Sequence, residues 1–70
     1  MNNFNNDRNP TRRAYNRLIT ARNLNEIGGS VQAERYLSQF KGEDMKDLVK
    51  MAGIIRKSGL EEASRIVHNS

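Results

Sequence analysis

The alternation of apolar and polar positions divides the chain into four helical stretches behind a polar opening. From Pro10 to about Glu26, Ala14, Tyr15, Leu18 and Ala21 share one arc at roughly 100° per residue, with Ile19 at its margin. Arg12, Arg13, Asn16, Arg17, Thr20 and Asn23 share the opposite arc. Leu24 and Ile27 fall off the apolar arc, so the last turn is expected to unwind toward Gly28-Gly29, a natural stop. Asn9 before Pro10 is a start signal. The Asn side-chain oxygen can accept from the first free amides, and Pro at the first helical position gives up no hydrogen bond the helix could use.

Ser30 is expected to cap a second helix, Val31 to Lys41, in which Ala33, Tyr36, Leu37 and Phe40 form one stripe at i, i+3, i+4, i+7 before Gly42 ends it. A third helix is expected from Glu43 to Lys57. Its buried face would be Met45, Leu48, Val49, Met51, Ala52 and Ile55, leaving Ile54 as the large apolar residue on its polar side. Acids open this segment and Arg56-Lys57 close it, both favourable to the helix dipole. The run Ile55 to Glu61 carries two turn signals at once. Gly59 can take a left-handed stop with Leu60 folding back on Ile55, and Ser58 with Glu61 has the spacing of a capping box for a fourth helix, Leu60 to about His68. Ala63, Ile66 and Val67 continue the apolar arc of that helix with Leu60. Links this short favour antiparallel neighbours. The expected fold is all-α, a compact small bundle of four short helices.

Met1 to Asn9 holds five asparagines and a single large aromatic, Phe4. Such a segment buries too little surface to offset its ordering entropy. It is read as a flexible arm over 1–9, with 10–70 as the single helical domain. The chain has 70 residues, 36% apolar and 29% charged, which fits one globular domain. A core of that size supplies only roughly 3–5 kcal/mol, which leaves room for stabilisation by self-association or a partner. Without cysteine there is neither a disulfide nor a thiolate metal site. The opening has no apolar run of the kind a secretory signal needs, and no stretch approaches a membrane span, so a cytosolic or intravirion setting is expected.

Charge changes the picture more than composition does. The net charge is +4, and it is uneven: residues 1–27 carry +3 and residues 28–70 only +1. Every basic group of the first part is an arginine (Arg8, Arg12, Arg13, Arg17, Arg22), whereas the four lysines all lie from Lys41 to Lys57. Arginine presents a planar fork of donors that fits phosphate or carboxylate oxygens, and lysine acts mainly as a hydrated point charge. The first third therefore reads as a surface for gripping an anion.

No catalytic constellation stands out. His68, the lone histidine, sits near the end of the chain, and Glu61 and Glu62 point about 100° apart on a helix. Glu43, Asp44 and Asp47 fit a solvated first turn, and no glycine-rich phosphate loop precedes a Lys-Ser/Thr pair. The chain is expected to be no enzyme and to need no cofactor or metal. Aligning Gly53 or Gly59 with the turn of a helix-turn-helix puts polar residues or glycine where that motif needs apolar ones. Tyr15, Tyr36 and Phe40 lie on core stripes rather than on a base-stacking platform.

Two functions remain. The first is nucleic-acid binding, DNA or RNA, with Arg8, Arg12, Arg13, Asn16, Arg17 and Thr20 meeting the phosphate backbone and base edges. The second is a protein-interaction module, an inhibitor or assembly subunit of the phage type, that docks on an acidic partner surface with Phe4 and Ile54, joined by Leu24 and Ile27, as apolar anchors. A membrane-surface role is disfavoured, because the apolar side of the first helix is alanine-rich.

Overall fold

Asn9 opens the first helix as its sequence implies. Its side-chain oxygen accepts from the amides of Thr11 at 3.0 Å and Arg12 at 3.2 Å, satisfying two of the donors a helix start leaves open. The computed structural model describes residues 9–70. Phe4, Arg8 and nearly all of the proposed arm lie outside the described residues.

Three helices form, rather than the four expected: α1 (Pro10–Gly28), α2 (Ser30–Leu37) and α3 (Glu43–His68). The described residues are all-helical apart from their connections. The Cα radius of gyration is 11.7 Å, close to the roughly 11 Å expected of a folded chain this long. The two segments expected as a third and a fourth helix run together as α3, kinked at Gly59. Gly59 has φ 88° and ψ 165°, so it does not adopt the left-handed helical stop but an extended positive-φ conformation open essentially to glycine alone. Gly29, between α1 and α2, has nearly the same backbone (φ 86°, ψ 177°) and turns the chain in a single residue.

Several boundaries differ from the sequence expectation. α1 does not unwind at Leu24 but continues to Gly28, and Gly29 rather than Ser30 is the N-cap of α2. α2 stops at Leu37 instead of reaching Lys41. The physical reason lies in its last carbonyls: Ser38 Oγ donates to Arg35 O at 2.9 Å, and Gln39 Nε2 donates to Tyr36 O at 2.8 Å. Side chains that satisfy terminal carbonyls locally remove the incentive for another helical turn. Phe40 consequently sits in the connecting loop, not on the helix, yet still packs against the core.

α1 is the central element and contacts both α2 and α3. The core cluster is Ala14 of α1 with Leu48, Met51, Ala63 and Val67 of α3, enclosed by half-buried Tyr15, Leu18, Leu37, Phe40, Ile54 and Ile55. Both sides of the Gly59 kink thus contribute to one core. Three residues expected on the buried face of the third helix are exposed, Val49 (63%), Met45 (37%) and Ala52, as is Ile66 of the arc expected to follow it. Among the described residues, no helix is long and apolar enough to cross a membrane.

Candidate functional site

The arginine arc of α1 is not presented to solvent as a unit. α1 is only weakly amphipathic, and its orientation is decided by neighbours rather than by its own pattern. Ala14, Arg17 and Ala21 form its buried row, so the helix is rolled toward the arginine side by comparison with the arc read from sequence. Arg17 is 9% exposed. Its guanidinium carbon lies 4.2 Å from the centroid of the Phe40 ring, and Nη1 is 3.4 Å from the Asp44 carboxylate. Arg13 reaches the same carboxylate oxygen at 3.8 Å. Phe40 in turn meets Tyr36 edge to face, with centroids 5.4 Å apart.

This cluster ties the loop after α2 and the first turn of α3 to the middle of α1. A desolvated guanidinium over an aromatic face, with a carboxylate beside it, is a structural clamp. It offers a large anion little access at Arg17. The other residues of the proposed nucleic-acid set are placed less decisively. Arg12, Asn16 and Thr20 are half-buried, and the Thr20 hydroxyl donates to Asn16 O at 2.9 Å, a bond within the helix. Ile54, expected to project from the polar side, is half-buried against the core and lines a small pocket with Thr11, Asp47, Lys50 and Met51. It is part of the fold's interior, so it does not stand out as an exposed anchor.

What the structure does bring together is a groove between α1 and α3. Its volume is about 340 Å³, and its apolar lining is Leu18 and Ile19 from α1 with Ala52, Ile55 and Leu60 from α3. One arginine from each helix joins them, Arg22 and Arg56. Both are exposed. Arg22 reaches Glu26 only at 4.0 Å between solvated side chains, a contact of little strength. Arg56 makes no ion pair among the described residues. The groove also explains the chain's local choices. The roll of α1 that buries Arg17 leaves Leu18 and Ile19 as an outer wall, and the kink at Gly59 brings Leu60 to the same rim.

Arg22 belongs to the arginine-only first third but not to the residues expected to contact nucleic acid, and the sequence offers Arg56 only as a helix-end charge. Their meeting across α1 and α3 has no local signature. Among the described residues, no group of three or more His, Cys, Asp or Glu side chains could hold a metal ion. Compared with protein-family models, curated proteins and solved structures, the chain matches none of them.

Proposed function

We propose that this chain is a small non-enzymatic interaction module that docks on an acidic surface of a partner protein, with the α1–α3 groove as its seat. The observation that carries the reading is the pairing of two exposed arginines from separate helices with one apolar lining. Arginine is enriched at interface hot spots, because its stem packs on apolar surface while its fork takes carboxylates. Nucleic-acid binding is the second reading. The net charge of +4 favours it, but two of its central residues, Arg13 and Arg17, already share Asp44.

The test is a pair of titrations of isotope-labelled protein, one with a Glu- and Leu-rich peptide and one with short duplex DNA or RNA, each over a salt series. Docking on an acidic protein predicts resonance shifts around Leu18, Ile19 and Ala52 with the peptide, lost in Arg22→Glu/Arg56→Glu. Nucleic-acid binding predicts affinity for the duplex with a log–log salt slope of roughly −3 to −4.5, as expected for three to five phosphates. A duplex that binds with that slope, while the peptide does not bind, would overturn the protein-docking reading.

A further inference from the structure

We infer that the groove's partner element is an acidic amphipathic α-helix of about three turns, laid along an exposed apolar stripe of α3. The inference rests on the acidic-partner reading above and specifies the shape of what binds. Met45, Val49, Ala52 and Arg56 follow i, i+4, i+7, i+11 and so fall in one narrow stripe of the helix surface. Val49 and Met45 are the exposed apolar residues of α3 before its kink, and Ala52 is shared with the groove. The stripe and the groove are therefore one continuous surface.

Beside the stripe runs a second row at the same spacing: Lys46, Lys50, Gly53 and Lys57, all exposed. An apolar strip bordered by lysines, ending at two arginines, complements apolar side chains bordered by carboxylates. The stripe covers 11 residues of rise from Met45 to Arg56, or about 16 Å at ~1.5 Å per residue, which matches three turns of a facing helix.

The partner should be helical for a further reason. The middle of a helix such as α3 pairs its own backbone amides and carbonyls, so an extended segment docked there would bury unpaired amides, whereas a helix satisfies its own. Gly53 fits this mode. It lies within α3 with ordinary helical backbone, and a Cβ built there would meet nothing within 4 Å, so the fold has no steric need for glycine. Next to Ala52 it makes a low place where a second helix can approach closely. A second copy of this chain is disfavoured as occupant in the antiparallel arrangement, since twofold pairing on the stripe would then set its lysine row against an identical row.

The experiment uses two stapled or free peptides of about 15 residues, built only from Glu and Leu. One, stapled as a helix, has Leu at i, i+3, i+4, i+7. The other has the same composition with Leu at every second position. Affinity is read by fluorescence anisotropy on the full chain, with circular dichroism as a check on folding and sedimentation as a check on self-association. The helical peptide is expected to bind at least about tenfold more tightly than its alternating control, the scale of one hot-spot residue. Val49→Asp and Gly53→Leu, both at exposed positions, should each lower that affinity by about tenfold or more with helical content unchanged. Arg35→Glu on α2 should leave it within roughly twofold. Equal binding of both peptides, sensitive to Arg22→Glu/Arg56→Glu, overturns the helical mode and leaves the acidic-partner reading standing. Binding of neither peptide overturns both. A peptide-free dimer that Val49→Asp dissociates also overturns the inference, in favour of a second copy.

Discussion

Replacing Arg17 by Ala should destabilise the fold rather than remove a ligand contact, and the structure sets the scale of that loss. The guanidinium over Phe40 is almost fully desolvated, where a cation–aromatic contact is worth about 2 kcal/mol. The ion pair with Asp44 adds about 1 kcal/mol at most, because that carboxylate is 41% exposed and screened by water. Two methylenes of the stem leave the interior at about 0.8 kcal/mol each. Against these stands the desolvation of the guanidinium, several kcal/mol before relaxation, part of which the variant recovers. The net cost is therefore about 2–3 kcal/mol, a large part of what a core this small supplies. Urea unfolding followed by circular dichroism should show it as a midpoint lowered by roughly 2–3 M, taking a slope of about 1 kcal/mol/M. Arg17→Met keeps most of the stem and should lose roughly half as much. A variant Arg17→Ala within about 0.5 kcal/mol of the parent would refute the clamp and return this arginine to the ligand-binding candidates.

Other substitutions test the remaining contacts. Asn9→Ala removes the acceptor that serves two amides and should cost about 1 kcal/mol in thermal or urea unfolding, whereas Asn9→Gly should cost only a few tenths. The glycines of α3 should behave oppositely in the same assay. Gly59→Ala imposes a side chain on a positive-φ extended backbone and should destabilise by about 1–3 kcal/mol, while Gly53→Ala should stabilise by about 0.5–1 kcal/mol. Ile54→Asp places a charge against the core cluster and should lower stability by about 2 kcal/mol or more, seen as lost helical signal on mild heating; an unchanged melting curve would place Ile54 outside the core.

Much of the local structure was legible in the sequence because its causes are local. Asn9-Pro10 fixes the start of α1 through side-chain and ring geometry within a few residues. Periodic apolar spacing gives the helical class, and glycine at 29, 42 and 59 places the turns where positive φ occurs. The end of α2 was harder to read, since Ser38 and Gln39 compete for carbonyls that the periodic stripe up to Phe40 would have kept in the helix. The kink at Gly59 was visible as a break, but its conformation was not, because glycine permits several.

The sequence by itself determined an all-helical chain, its turn glycines and an arginine-only basic third; it could not determine which way α1 is rolled. With Arg12, Arg13, Asn16, Arg17 and Thr20 on one arc, periodicity favours that arc facing water. Tertiary packing decided otherwise for Arg17, because Phe40 and Asp44, distant in sequence, together offer its charged head and apolar stem more than solvent does. The same roll leaves Leu18 and Ile19 half-buried on the wall of the groove that Arg22 and Arg56 also line. A surface made from two helices exists only once their packing is fixed, which is why the α1–α3 groove belongs to the folded molecule and to no segment of its sequence.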